Sequence, residues 1–170
     1  VVALATNIMH DDNHGSFSRC RWLNRTLAYT SDALGASSWL WRIQHNQMHH
    51  HHTNVDGHDA DIELAPWARV TPTQPWRPRH RWQHIYMWPL YGFLALKNLL
   101  FSDLLSLAHR RIGRQPIRSP ITVGVVTRIM LGKLVHLTWA VAIPLMFHPW
   151  WAVLAFYLGC SWIVGLTLAV

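Results

Sequence analysis

Charged residues stop at Lys133, and positions 134–170 contain no Lys, Arg, Asp or Glu. An apolar run of that length is close to twice the roughly 20 residues a helix needs to cross a bilayer core. His148–Pro149 divides it. The pattern therefore predicts a membrane hairpin of two helices, 129–147 and 150–170. At the other end, residues 1–14 read as the close of an apolar helix running into polar "HDDNH", with Gly15 suited to a C-terminal cap. Residues 15–31 form a polar, basic connection. Ser31 and Asp32 suit the cap of a helix expected over 32–52. Residues 53–82 carry Pro66, Pro72, Pro75 and Pro78 among turn formers and read as irregular.

The stretch 83–108 is apolar but interrupted by Pro89, Lys97, Asn98 and Asp103. Arginines from Arg19 to Arg81 precede it, and Arg110, Arg111, Arg114, Arg118, Arg128 and Lys133 follow it. Were it to cross the bilayer, both sides would be strongly basic, against the positive-inside tendency. An interfacial, amphipathic segment keeps all these charges on the cytoplasmic side and leaves the His148–Pro149 turn facing outward. The expected architecture is all-α: multi-pass membrane helices, with helices on the cytoplasmic side.

The net charge of +7 then reads as cytoplasmic-loop bias, and no recognition module accompanies it, so nucleic-acid binding is not expected. Cys20 lies in a polar stretch and Cys160 in an apolar one, which argues against a disulfide and for a reducing compartment. Both ends read as cuts through apolar helices, so the sequence is expected to be a piece of a longer protein.

The cytoplasmic helices carry the chemistry. His10 and His14 are four residues apart, as are His45 and His49, so each pair shares one face of a helix. In an α-helix His50 would be rotated by roughly 100° from His49 and reach a neighbouring position. Imidazole suits zinc, copper, iron and nickel alike. A zinc protease would need Glu after the first histidine; Asp11 and Asn46 stand there instead. Six of the eight acids, Asp11, Asp12, Asp56, Asp59, Asp61 and Glu63, lie in or just after a histidine group. Such acids can accept the second N–H of a ligating imidazole or pair with arginines. His51 and His52 read as surface residues. A membrane metal transporter would place polar ligands inside its spans, and the last two offer only His136.

"HDDNHGSFS" and "WLWRIQHNQMHHHHTNVDGHDADIE" resemble the membrane fatty-acid desaturases, in the branch with H-D-x-x-H and H-N-x-x-H-H-x-x-T-N-x-x-G-x-D-x-D motifs. "QHIYMWPLYGFLALK", "RIGR" and "HPWWAVLAFYL" fall where that branch has similar segments. The resemblance implies a di-iron centre that uses dioxygen to place a double bond in an acyl chain of an acyl-CoA or acyl-lipid. Electrons would come from a ferredoxin or cytochrome b5 type donor. The implied iron ligands are His10, His14, His45, His49 and His50, while His51 and His52 fall at variable positions. The family's third box, Q-x-x-H-H, is expected beyond Val170, and without it the piece is expected to be inactive. The third box must lie on the side of the first two. Two crossings in the hairpin satisfy that, and a third at 83–108 would not. A hydroxylase or epoxygenase of the same architecture remains an alternative.

Overall fold

The computed structural model describes residues 2–169, with side chains from 7 to 168; positions 1 and 170, at the outer ends of the first and last expected elements, lie outside the described residues. The chain is helical, and its only sheet among the described residues is a two-stranded ribbon. Helix α1 (Val2–Asn13) carries the first histidine pair at its C-terminal end, and the chain turns at Gly15 as expected. Short helices α2 (Arg21–Leu27) and α3 (Thr30–Ala33) follow.

The continuous helix expected over 32–52 is broken. Ser31 and Asp32 cap no helix; they lie inside the four-residue α3, which begins at Thr30, and the chain reverses at Gly35, whose φ is +91°. Glycine is required there twice over: the left-handed backbone disfavours a side chain, and a Cβ would meet the His136 ring at 2.8 Å. The helix that bears the second histidine group begins instead at α4 (Ser38–Arg42), where the Leu40 N–H donates to Ser37 Oγ at 3.2 Å. A cap of this kind contributes about 1 kcal/mol. From Ile43 to His49 the helix widens into a π-helix.

Helix α4 and the π-helix contribute to an apolar core. Leu40, Ile43 and Met48 pack with Ile112 and Ile129. Ile112 comes from the ribbon of β1 (Arg111–Ile112) and β2 (Gln115–Pro116), in which Ile112 pairs with Gln115. The irregular reading of 53–82 holds apart from two short 3-10 turns, Ala60–Ile62 and Pro78–Trp82.

Helix α5 (Gln83–Lys97) runs through a π-helical stretch, Asn98–Ser102, into α6 (Asp103–His109). It makes the most extensive helix pairing in the molecule, with α9 (Trp150–Ala169). Gly92 and Gly165 meet where the two backbones approach most closely, and Trp162 Nε1 donates to the Pro89 carbonyl at 3.2 Å. Helix α7 (Val123–Leu137) starts earlier than the expected 129, because Thr122 caps it by accepting from the Val125 N–H at 3.3 Å. It continues as a π-helical stretch, Thr138–Ala142, and α8 (Ile143–Leu145) before the turn at His148–Pro149. Among the described residues three helices are long and apolar enough to cross a membrane: Pro78–His109, Val123–Leu145 and Trp150–Leu168.

One buried ion pair ties these layers together. Lys133 on α7 and Asp103 on α6 approach to 2.8 Å, and both are buried. The ammonium also donates to the carbonyls of Gly35 and Leu99. Asp103 Oδ2 accepts the Ser37 N–H at 3.0 Å, at the start of the helix that carries the second histidine group. Among the described residues this is the one contact that joins α6, α7 and the α3–α4 turn through charge.

Candidate metal centre

The C-terminal end of α1 faces the π-helical stretch after α4, and five imidazoles meet there. His10 Nε2 and His45 Nε2 are 3.2 Å apart, and His45 Nε2 and His50 Nε2 are 3.3 Å apart. The His14 ring centroid lies 4.6 Å from that of His10, 5.3 Å from His45 and 4.9 Å from His50. His49 stacks beside His45 with centroids 5.4 Å apart. The structure thus brings together His10, His14, His45, His49 and His50. It leaves His51 outside, bonded to the Gln47 carbonyl, and His52 outside, stacked on His58.

The π-helix explains how His50 joins the group. In an α-helix it would point well away from His45. Here the His50 N–H donates to the His45 carbonyl at 3.0 Å, an i→i+5 bond that adds a residue to the turn. The widened turn brings His50 to one side of His45, with His49 on the other. Neighbouring positions of one helix can then all face α1.

The tail of the second motif braces this arrangement. Thr53 Oγ1 donates to the His49 carbonyl at 2.8 Å as the helix ends, and Asn54 adopts the left-handed conformation at φ +62°. The loop then returns Asp59, fully buried, to the His49 ring: Nδ1 is 3.0 Å from Asp59 Oδ2 and 3.4 Å from Asp61 Oδ2. Asp59 Oδ2 also accepts the Asn54 N–H at 2.9 Å, and Oδ1 accepts the Asp61 N–H at 3.0 Å. Both oxygens of Asp59 are engaged, so this carboxylate serves as a brace that keeps the proton on Nδ1 and leaves Nε2 to the cluster. Burial pushes the Asp59 carboxyl up, but the two N–H groups and His49 outweigh it and hold it below the usual carboxylate range. Asp11 plays a similar part toward His10, with Oδ1 3.0 Å from Nδ1.

The other acids divide. Asp56 and Glu63 pair with Arg114 at 3.4 and 3.3 Å, which fastens the loop to the β1–β2 turn. Asp12 is buried with neither oxygen bonded.

Two contributors, Trp41 and Gln44, were not singled out from sequence, and Asn46 was named there only as part of the motif. Trp41 stacks on His45 at 4.4 Å and meets His10 and His14 edge-on, closing one side of the cluster. Its position four residues before His45 was the available signal. Asn46 Nδ2 donates to the Asn13 carbonyl at 3.1 Å, which latches the second group to the end of α1. Gln44 Nε2 donates to Asp61 Oδ1 at 2.6 Å.

The electrostatics suit a cation. Burial, then the neighbouring imidazoles His10, His50, His14 and His49, push the His45 imidazole down to about 4. Burial and then His10 and His50 lower His14 as well. Imidazoles kept neutral in this way, as at His45 and His14, offer a lone pair to a positive charge. The donor set is all nitrogen, with no thiolate, which fits iron, copper, nickel or zinc by type.

The family model for fatty acid desaturases matches residues 1–170. The chain is 37% identical to an sn-1 linoleoyl-lipid 6-desaturase of Arthrospira platensis over 75% of this chain and 34% of that protein. It is 35% identical to an acyl-lipid (8-3)-desaturase of Physcomitrium patens over 98% of this chain and 35% of that protein. An acyl-lipid (7-3)-desaturase of Rebecca salina is 36% identical over 86% of this chain and 32% of that protein. The chain thus spans about a third of the length of these relatives. No solved structure matches. Motif, fold and likeness over the full length agree, and this chain belongs to the fatty-acid desaturase family.

Proposed function

We propose that the protein to which this chain belongs is a membrane acyl-lipid desaturase in lipid metabolism, and that His10, His14, His45, His49 and His50 are iron ligands. The observation that carries the reading is the convergence of five imidazoles from two separate helices, with His10 and His49 each held by a carboxylate on Nδ1. Relatives named as acyl-lipid desaturases favour an acyl chain carried on a lipid over one carried on CoA.

A non-haem di-iron pair, when bound, supplies the oxidising power toward dioxygen that no side chain has. The chain's own residues do the rest. Asp59 and Asp11 fix the tautomers of His49 and His10, so that each presents Nε2. Trp41 fills the space beside His45 and keeps water from that flank. Asn46 holds the two ligand helices in register. Ligands supplied from beyond Val170 would complete the set, and a ferredoxin or cytochrome b5 type protein would deliver electrons.

In the membrane, we place the histidine groups on the cytoplasmic side, with 129–147 and 150–170 as the two crossings. The segment 83–108 then lies along the interface, a reading supported by the basic residues at both its ends and by the polar Asn98 and Asp103 within it. Expression of the full-length protein in cells that lack the product tests the function. New double bonds should appear in membrane lipids with the wild type and not with His45→Ala or His49→Ala. Undiminished product from either variant would remove the ligand assignment, and hydroxylated or epoxidised acyl chains would replace desaturation as the reaction.

A further inference from the structure

Between Glu63 and Asp103 the chain has no acidic residue, while Arg69, Arg77, Arg79, Arg81 and Lys97 all fall there. The loop and turn over 64–82 are not loosely draped. Gln74 is buried and donates to the Ile62 carbonyl at 2.9 Å, and its Oε1 accepts the Val70 N–H at 2.8 Å. His80, also buried, has Nε2 3.2 Å from the Pro66 carbonyl, while its Nδ1 accepts the Arg77 N–H at 3.1 Å. Gln83 closes the loop onto Arg69 from both sides of that residue's peptide group. His80 therefore points inward, and its neighbours Arg79 and Arg81 stand outward.

What this scaffold presents is aromatic and cationic. Trp67, Trp76, Trp82 and Trp88 are each more than half exposed. The Arg79 guanidinium sits 5.8 Å from the centre of the Trp67 ring, and the Arg81 guanidinium 5.5 Å from that of Trp82. Arg77, Arg79 and Arg81 form no ion pair among the described residues. Below the loop the surface passes into the exposed apolar side chains Ile85, Trp88 and Phe93 of α5. Indole rings favour the level of lipid headgroups, with the apolar body facing the acyl chains and the N–H facing water. Arginine beside them favours phosphate, which a planar guanidinium engages by paired hydrogen bonds.

We propose that residues 66–88 form a rigid platform for anionic phospholipid headgroups, with Arg77, Arg79 and Arg81 taking the phosphates and the four tryptophans seated at the membrane interface. An acidic soluble protein would complement the arginines equally, but it would leave four bare indoles and the adjoining apolar face of α5 unaccounted for. This proposal rests on the reading of the chain as part of a membrane desaturase.

The test uses the full-length protein in mild detergent, titrated with phosphatidylglycerol or phosphatidylcholine, with bound lipid counted by native mass spectrometry. Wild-type protein should retain phosphatidylglycerol in preference. Arg77→Gln/Arg79→Gln/Arg81→Gln should lose that preference by roughly tenfold or more, given the usual contribution of basic residues near anionic lipid. The charge-conserving Arg77→Lys/Arg79→Lys/Arg81→Lys protein should keep most of it. Arg110→Gln/Arg111→Gln/Arg118→Gln, which removes as much charge elsewhere, should match the wild type. An unchanged preference in the first variant, or an equal loss in the last, overturns the proposal. So does a first variant that keeps its lipid but no longer binds an acidic electron donor. Iron measured on the same preparations separates the two readings: a wild type without iron removes the desaturase assignment, whereas iron-loaded proteins with identical lipid preference remove only the platform.

Discussion

The Asp103–Lys133 pair and the imidazole cluster both gather titratable groups where distant segments meet, but the pair is buried, the cluster is half-buried to exposed, and the two are finished to different degrees. Lys133 finds a carboxylate and two carbonyls for its ammonium, and Asp103 finds a second donor in the Ser37 N–H. Charge and hydrogen bonds are matched within the protein. In the cluster, imidazole nitrogens face one another at 3.2 and 3.3 Å, and burial together with the neighbouring rings lowers the pKa of His45. Among the described residues no carboxylate pairs with His14, His45 or His50, while carboxylates fill the far side of His10 and His49. One site is complete in itself, and the other offers the nitrogen donors that a cation would take. The ion pair also anchors the start of the helix that carries His45, so the finished site positions the unfinished one.

That contrast predicts a graded response in the stability of the metal-free protein. Lys133→Met should cost most, because it leaves Asp103 buried without its counter-charge, a loss of about 3–5 kcal/mol. Thermal unfolding of the solubilised full-length protein reads it. Asp103→Asn/Lys133→Met should recover part of the loss, since no lone charge then remains. If the single and double variants unfold alike, the pair is not the anchor described.

Asp59→Asn comes next. The substitution sets an amide N–H₂ or a weaker acceptor against His49 and costs roughly 1–3 kcal/mol. Metal affinity should fall by about 10–100-fold, the usual penalty for losing a carboxylate behind a ligating histidine. A metal titration that does not move would reduce Asp59 to loop structure.

His45→Ala should change the stability of the metal-free protein by no more than about 1 kcal/mol, although it removes the most crowded imidazole. A loss as large as that of Lys133→Met would erase the distinction between the two sites. Smallest of all, His51→Ala/His52→Ala should shift unfolding by less than about 0.5 kcal/mol and leave desaturation intact, because both rings lie outside the cluster. Loss of activity in that variant would redraw the boundary of the site.

The two apolar helices on either side of His148–Pro149 were legible because the absence of charge after Lys133 is a property of composition, and Pro149 marks the turn whatever the tertiary structure. The helix over 32–52 was misdrawn for a local reason. Ser31 and Ser37 are equally good caps, and the reversal at Gly35 is decided by a long-range neighbour, the ring of His136. The imidazole partners followed from spacing, but the part of His50 could not. Whether a turn closes i→i+4 or i→i+5 depends on packing against α1, which periodicity does not encode. Asp59 was named among six candidate acids. Its place on His49 depends on the left-handed turn at Asn54 and on Arg114, fifty-one residues beyond Glu63, holding the loop from the far side.

The most direct measurement is elemental analysis of the full-length protein, purified with iron present, beside its His45→Ala variant. The account predicts a di-iron complement in the wild type and little iron in the variant. Zinc in place of iron in the wild type, or undiminished iron after His45→Ala, would contradict it.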